Sequence, residues 1–125
     1  MKKIFLAFIL LITSNVWAEW TYISKIGGDT DYIDFKTVKK VGQTVKFWNL
    51  VDFKKVQLLV DKPYLSFRQF KEINCSNNTQ RSLYLIFSDG NMGDGQVIYS
   101  GDSDNKHAPI APETIASFEQ EILCK

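Results

Sequence analysis

Most of the chain after residue 20 alternates apolar and polar side chains with a period of two, the pattern of β-strands that pack one face against a core. Turn-forming residues separate these stretches, as at Gly27-Gly28-Asp29 and Ser76-Asn77-Asn78. The predicted strands are Trp20–Lys25, Asp31–Phe35, Thr44–Phe53, Tyr64–Cys75, Arg81–Ser88 and Gln96–Ser100. Thr44–Phe53 carries large apolar side chains on both faces, so we expect this strand to be central in a sheet.

The pattern changes at Pro112, after which apolar residues recur at spacings of three and four. Ile115, Phe118 and Ile122 would form the buried stripe of a C-terminal helix of about three turns that begins at Pro112. Consecutive strands followed by one helix predict an α+β domain. We expect a meandering antiparallel β-sheet of about six strands with the C-terminal α-helix packed on one face.

The first eighteen residues have a different pattern and are predicted to lie outside that domain. Lys2-Lys3 precede an unbroken apolar run, Ile4 to Ile12, and a polar stretch leads to a tripeptide that ends at Ala18. This order is typical of a secretory signal peptide, and the run is shorter than the roughly 20 residues of a membrane-spanning helix. We expect a signal peptide at residues 1–18, a domain at residues 19–125, export to the periplasm or the medium, and no membrane span. An uncleaved anchor is the alternative.

Composition and charge exclude several functions. The 125 residues carry 15 Lys and Arg against 14 Asp and Glu, whereas a nucleic-acid-binding protein has a clear basic excess. One His and two Cys cannot supply an ordinary four-ligand zinc site, and we find no cofactor-binding motif. His107 lies among turn-forming residues, and Asp29, Asp31 and Asp34 are interpreted as a solvated strand edge. We therefore predict no catalytic residue, no metal, no cofactor and no nucleic-acid partner.

The two cysteines, Cys75 and Cys124, both lie in the predicted exported domain. In an oxidising compartment, an even number of cysteines without a cluster of other metal ligands favours a disulfide. That bridge would join the end of the predicted helix to the strand that ends at Cys75. Two free buried thiols and an intermolecular bridge are the alternatives.

One segment, residues 62–71, combines three cations with three aromatic residues in ten positions. Tyr and Arg are enriched at interface hot spots, and a strand flanked by proline can present them at a sheet edge. The residues predicted to contact a partner protein are Lys62, Tyr64, Arg68, Phe70 and Lys71. Strand alternation would place Tyr64, Arg68 and Phe70 on one face. The simpler alternative is an ordinary strand with its phenylalanines inside and its cations in solvent.

An ordered set of residues resembles the surface-adhesin protein E family. The set is Trp20-x-Tyr22, Tyr32-x-Asp34, Val45-x-Phe47-Trp48-x-Leu50, Tyr64-x-Ser66, Ile73-Asn74-Cys75, Arg81, Pro109-x-x-Pro112 and Cys124. The resemblance implies a six-stranded antiparallel sheet with a C-terminal helix, and binding of host extracellular-matrix and serum proteins at a bacterial surface. One departure concerns surface display: the protein after which the family is named is lipid-anchored, and no lipidation cysteine follows the apolar run here.

These observations predict a non-enzymatic, secreted bacterial envelope or surface protein that binds a macromolecular partner in the manner of an adhesin. The partner would be a host matrix protein or an envelope protein, bound through residues 62–71. The alternative is a periplasmic binding module such as a hydrolase inhibitor, and a homodimer is compatible with either function.

Overall fold

A computed structural model describes residues 18–125, which form an antiparallel sheet and one α-helix. The strands are β1 (Thr21–Ile26), β2 (Asp29–Val41), β3 (Thr44–Leu59), β4 (Lys62–Asn74), β5 (Thr79–Ser88), β6 (Val97–Asp102) and β7 (Ala108–Pro109). The helix α1 is Ile115–Leu123, and a 3-10 turn, Asn91–Gly93, lies between β5 and β6. The predicted signal peptide lies outside the described residues except for Ala18.

The strands β1 to β6 pair in chain order, so the sheet is an antiparallel meander, and the short β7 pairs with β5. This topology and the C-terminal helix confirm the predicted α+β fold. Two of the hairpin turns contain glycines at positive φ, 61° at Gly27 and 60° at Gly42, a conformation that glycine adopts without steric strain. β3 is longer than predicted because its last residues pair with the start of β4, as Leu59 does with Lys62.

The two faces of the sheet are covered differently. The helix-side face carries Ile33, Phe47 and Ile73, which form the core together with Ala116 and Leu123 of α1. Burial of these side chains supplies the main stabilisation of such a fold. The opposite face, here called the helix-free face, presents Trp48, Phe70 and Tyr84 on the adjacent strands β3, β4 and β5.

The helix begins three positions later than the sequence predicts. Thr114 is its N-cap: the Thr114 hydroxyl accepts a hydrogen bond from the Ser117 backbone N–H at 3.2 Å. In return the Ser117 hydroxyl accepts from the Thr114 N–H at 2.9 Å. This reciprocal capping box fixes the first helical residue at Ile115, so the prediction of a helix start at Pro112 was wrong.

The predicted buried stripe of the helix was also wrong. Phe118 and Ile122 are 38% and 42% exposed, whereas the buried residues of α1 are Ala116, Glu119 and Leu123. This stripe also has helical spacing, but it contains a carboxylate that sequence patterning assigns to solvent. The helix turns this stripe inward because Glu119 binds a buried cation of the sheet, as described below.

The disulfide between Cys75 and Cys124 confirms the predicted pairing. It joins the residue after β4 to the residue after α1, with the two Cα atoms 5.7 Å apart. The bridge therefore holds the end of the helix against the sheet. A hydrogen bond from Lys40 Nζ to the Lys125 carbonyl oxygen, 3.2 Å long, supports the same end from β2.

Candidate binding surface

The strand β4 divides the five predicted contact residues between different environments. Arg68 and Phe70 lie on the helix-free face, where they pair with Leu50 and Trp48 of β3. Lys71, the next residue, points to the helix-side face, as the strand period of two requires. The structure therefore brings Arg68 and Phe70 together on one face, apart from the remaining three residues of the predicted set.

Tyr64 and Lys62 lie near the start of β4. The Tyr64 ring packs with its centroid 5.6 Å from that of Phe53 and 4.8 Å from that of Phe87. Tyr64 thus belongs to an aromatic cluster with Phe67 rather than sharing a surface with Arg68. The β3–β4 register shifts between Asp52 and Gln57, opposite this part of β4. Lys62 is exposed at the end of the β3–β4 hairpin.

Phe70 is the centre of a row of aromatic residues across the helix-free face. Trp48 and Tyr84 lie opposite Phe70 on its two neighbouring strands. The ring centroids of Trp48 and Phe70 are 5.5 Å apart, and those of Trp48 and Tyr84 are 6.4 Å apart. All three side chains are half-buried. Trp and Tyr are frequent at the centres of protein interfaces, where their rings supply large contact areas.

Arg68 is held beside this row by the loop between β5 and β6. A Cβ atom on Gly93 would lie 3.4 Å from Arg68 Nε, so this loop residue sits directly against the arginine side chain. The loop is fixed to the sheet by Ser66, whose hydroxyl donates to the Gly90 carbonyl oxygen at 2.6 Å and accepts from the Gly93 N–H at 2.8 Å. Arg68 is thus a half-buried cation with restricted freedom, which lowers the entropy lost when it binds an anion.

An ion cluster borders the other side of the aromatic row. Glu72 accepts a hydrogen bond from Arg81 Nε at 2.9 Å, and Lys46 Nζ lies 3.9 Å from its second carboxylate oxygen. Two cations thus share one anion. The helix-free face therefore has an aromatic centre with positive charge on both sides, Arg68 on one and the Lys46–Glu72–Arg81 cluster on the other.

Lys71 is enclosed beneath the helix, and its charge is already paired. Its side chain is 5% exposed, and its Nζ lies 2.6 Å from Oε1 of Glu119, which is fully buried. Asn49 Nδ2 donates to the carboxylates of both Asp31, at 2.8 Å, and Glu119, at 2.9 Å. The interpretation of Asp31 as part of a solvated strand edge was wrong, because it is also fully buried.

The sequence contains a signal for this cluster, namely polar residues at inward strand positions. Three adjacent strands each carry one polar residue at an inward position: Asp31 on β2, Asn49 on β3 and Lys71 on β4. Each lies two residues from a buried apolar side chain, Ile33, Phe47 or Ile73 respectively. A polar residue at an inward position must find a buried partner. Inward polar residues on three adjacent strands therefore indicate a shared network.

Charge balance in this cluster requires a proton. It contains two carboxylates, Asp31 and Glu119, and one cation, Lys71, all removed from water. Burial, reinforced by the negative charge of Glu119, raises the pKa of Asp31 from its ordinary 3.8 to about 9; the Asn49 hydrogen bond and the Lys71 charge oppose this shift. Asp31 is therefore protonated at neutral pH, which leaves one buried cation paired with one buried anion.

We predict that ionisation of Asp31 makes the protein less stable as the pH rises from about 4 to about 9. In that range the unfolded chain releases the Asp31 proton whereas the folded chain keeps it, so raising the pH favours unfolding. Asn is a neutral replacement of similar shape for a protonated Asp. The stability of Asp31→Asn relative to the wild type should therefore be greater at pH 8 than at pH 5, measured by urea unfolding. A difference that is the same at both values would show that Asp31 does not retain its proton.

A cleft of about 570 Å³ lies on the helix-side face, between the sheet and the segment that leads into α1, together with the first residues of that helix. Its sheet side includes Phe53, Phe67 and Gln69, and its other wall includes Pro109 and Ile115. The Lys71 side chain reaches this cleft, but its charge is already paired with Glu119. His107 is exposed and does not line the cleft.

Comparison with known proteins agrees with this architecture. The family model described as surface-adhesin protein E matches residues 20–125. This chain belongs to that family. The match covers all but two of the residues that the structure describes, so the sheet, the disulfide and the helix all fall within the family domain. The predicted membership is thereby confirmed.

Solved structures of Haemophilus influenzae protein E share the fold. One is 21% identical with a TM-score of 0.61, covering 88% of this chain and 86% of that one. A second crystal form is 21% identical with a TM-score of 0.63, covering 88% and 90%. The protein from a non-typeable strain is 22% identical with a TM-score of 0.62, covering 89% and 78%. No curated protein sequence matches this chain.

Several residues that carry the family resemblance have structural roles here. Leu50 is fully buried, Ser66 fixes the β5–β6 loop, and Arg81 pairs with Glu72. Trp48 is different, because it is half-buried within the aromatic row. Within residues 18–125, no helix has the length and apolar character needed to cross a membrane.

Proposed function

We propose that this protein is an exported surface adhesin that binds a host matrix protein through the helix-free face of its sheet. Membership of the surface-adhesin protein E family supports the general class, a surface protein that acts by binding and not by catalysis. The observation that carries the proposal is the half-buried aromatic row formed by Trp48, Phe70 and Tyr84, on the face that the helix leaves uncovered.

The chemistry of this face suits a protein partner. Contiguous apolar surface on the outside of a globular protein marks an interaction site, and aromatic rings dominate the binding energy when a partner encloses them. Arg68 and the Lys46–Glu72–Arg81 cluster add positive charge at both borders. This arrangement favours a partner segment with apolar side chains at its centre and carboxylates at its ends, because opposite charges improve both specificity and association rate.

The binding proposal is tested by two variants of the same residue type on the same strand. Phe70 lies on the helix-free face, whereas Phe67 lies on the helix-side face, and both are half-buried. Binding of Phe70→Ala and Phe67→Ala to immobilised, purified matrix glycoproteins should be compared by biolayer interferometry. We expect Phe70→Ala to bind at least about tenfold more weakly than the wild type and Phe67→Ala to bind normally.

The same two variants, Phe70→Ala and Phe67→Ala, can also contradict this proposal. If Phe67→Ala loses binding and Phe70→Ala does not, the partner occupies the helix-side cleft. Arg68→Ala serves as a third variant: it should slow association and weaken the dependence of binding on salt concentration. Circular dichroism of each variant checks that the sheet is intact.

Export is the second part of the proposal. It is supported by the signal-peptide pattern of residues 1–18 and by a disulfide, which persists in oxidising compartments. Intact cells that express the protein should be labelled by an antibody to the domain. Labelling that appears only after the envelope is permeabilised would place the protein in the periplasm and favour the alternative function, a periplasmic binding module such as a hydrolase inhibitor.

A further inference from the structure

The hairpin between β3 and β4 extends past the rest of the sheet as a two-stranded ribbon. The last pair between β2 and β3 is Asp29 with Phe53, and the pairing of β4 with β5 starts at Ser66. Beyond these positions the Lys54 N–H donates to the Gly28 carbonyl oxygen at 3.0 Å, and β3 and β4 otherwise pair only with each other, up to Leu59 with Lys62. The end of this ribbon, residues 54–62, is called the hairpin tip below.

The hairpin tip exposes aliphatic side chains. Val56, Leu58 and Val60 are 59%, 67% and 88% exposed. Val60 and Asp61 form the turn with φ values of 47° and 69°. A β-branched residue is unfavourable in this left-handed conformation, and Asn or Gly would form the same turn with less strain. The chain thus places a valine at the most exposed point of the hairpin in spite of an unfavourable backbone conformation, and such strain is characteristic of functional positions.

Positive charge surrounds these aliphatic side chains. Lys54, Lys55 and Lys62 are exposed, and none of them forms an ion pair with any residue from 18 to 125. Asp61 is the one acidic residue of the tip, so residues 54–62 carry three positive charges and one negative charge, a net +2 in a chain whose total is +1. Asp29, near the base of the ribbon, lines a shallow hollow with Lys54 and Lys55.

A tyrosine of β6 lies beside the tip. Tyr99 of β6 is 47% exposed and lines a second shallow hollow of about 500 Å³ together with Leu59, Val60 and Lys62. Tyrosines with one apolar and one polar end are enriched at the boundary between lipid and water. The tip therefore combines projecting aliphatic side chains, unpaired lysines and an interfacial aromatic residue.

We propose that the hairpin tip binds the surface of a membrane that contains anionic phospholipids. Val56, Leu58 and Val60 would enter the boundary between headgroups and acyl chains, and Lys54, Lys55 and Lys62 would contact lipid phosphates. Long lysine side chains can reach the headgroups while the neighbouring apolar residues lie deeper. This is peripheral contact with a membrane surface, and it is separate from the aromatic row proposed to bind protein.

The dimensions of the tip favour lipid over a protein partner. A stable protein interface covers about 800 Å² on each side and is built around aromatic and arginine side chains. The tip offers three exposed aliphatic side chains beside a single tyrosine, Tyr99, with lysines as its only cations. A bilayer accepts such a tip without needing a complementary pocket, and its negative surface attracts the lysines.

Co-sedimentation with vesicles tests the proposal on the full-length protein as cells produce it. The probes are vesicles of phosphatidylcholine alone and of phosphatidylcholine with phosphatidylglycerol. We expect the wild type to bind the anionic vesicles and the combined variant Val56→Thr, Leu58→Thr, Val60→Asn to bind them at least about tenfold more weakly. These replacements preserve the fold, because Thr favours strands and Asn accepts the left-handed turn. Val41→Thr is the matched control, since Val41 is 75% exposed at a different turn.

The lysines are tested separately by the combined variant Lys54→Gln, Lys55→Gln, Lys62→Gln, which should bind both kinds of vesicle equally weakly. Phe70→Ala should bind vesicles like the wild type, so failure here is distinguishable from failure of the adhesin proposal. Wild-type protein that stays in the supernatant with both vesicles would overturn the inference. So would a tip variant that sediments like the wild type, or light scattering that shows the tip instead joining two copies of the chain.

Discussion

Replacing Glu119 by alanine should lower the free energy of unfolding by about 3–5 kcal/mol, because the variant removes the carboxylate that directly contacts a buried ammonium group. Lys71 is 5% exposed, and its Nζ contacts Glu119 Oε1 at 2.6 Å. The change also removes one acceptor of the Asn49 amide. Since a domain of this kind is stable by about 5–15 kcal/mol in total, the variant should be close to unfolding at 37 °C.

The chain provides a matched control for this prediction on the same helix. Glu121 is exposed, so Glu121→Ala should change stability by less than about 0.5 kcal/mol. Urea unfolding at pH 7 measures both variants. The double variant Lys71→Met, Glu119→Gln removes both charges and should recover a large part of the loss, because paired removal leaves no unpaired buried ion. Equal stability of Glu119→Ala and Glu121→Ala would show that the buried pair does not hold the helix.

Removing the disulfide should have an effect of similar size. The bridge joins residues separated by 49 positions, and the chain-entropy relation gives about 4 kcal/mol for a loop of that length. A helix of nine residues is too short to be stable alone in water, so α1 depends on being held against the sheet. Loss of the bridge should therefore loosen the helix and admit water to the Lys71–Glu119 pair.

The double variant Cys75→Ser, Cys124→Ser tests this expectation without leaving a free thiol. Its urea midpoint should fall well below that of the oxidised wild type, and adding reductant to the wild type should reproduce most of that fall. Reductant should leave the midpoint of the variant unchanged. A loss of less than about 1 kcal/mol would mean that the helix is held by its apolar and ionic contacts alone, with little contribution from loop closure.

The sequence predicts those parts of the fold that depend on local patterns. Alternation with period two predicts the strands, and turn residues such as Gly27 predict where the hairpins turn. The two cysteines follow β4 and α1, so a single pairing connects the two elements. The meander follows because successive strands with short turns pair antiparallel with their neighbours.

What the sequence does not predict depends on contacts between distant residues. Asn49 bonds to residues 18 and 70 positions away, and Lys71 to one 48 positions away. Patterning assigns charged side chains to solvent, so the sequence prediction placed Phe118, and not Glu119, on the buried side of α1. The helix in fact turns Glu119 inward, because a buried Lys71 without an anion would be far less stable than two exposed apolar side chains.

In the candidate site, too, local patterns predict one part, and contacts between distant residues decide the rest. Placement of Arg68 and Phe70 on one face follows from strand alternation alone. Their neighbours Trp48 and Tyr84 come from strands whose register is set by the whole sheet. Tyr64 departs from alternation where the β3–β4 register shifts opposite it, and a bulge of this kind has no simple sequence signature.

Whether the helix-free face binds the partner is measured by the ratio of the dissociation constants of Phe70→Ala and Phe67→Ala for a matrix protein that the wild type binds. The two substitutions remove the same side chain from the same strand, so they differ chiefly in the face that they alter. If the helix-free face binds the partner, the ratio should be about ten or more. A ratio near one, or below one, would contradict the assignment of binding to this face.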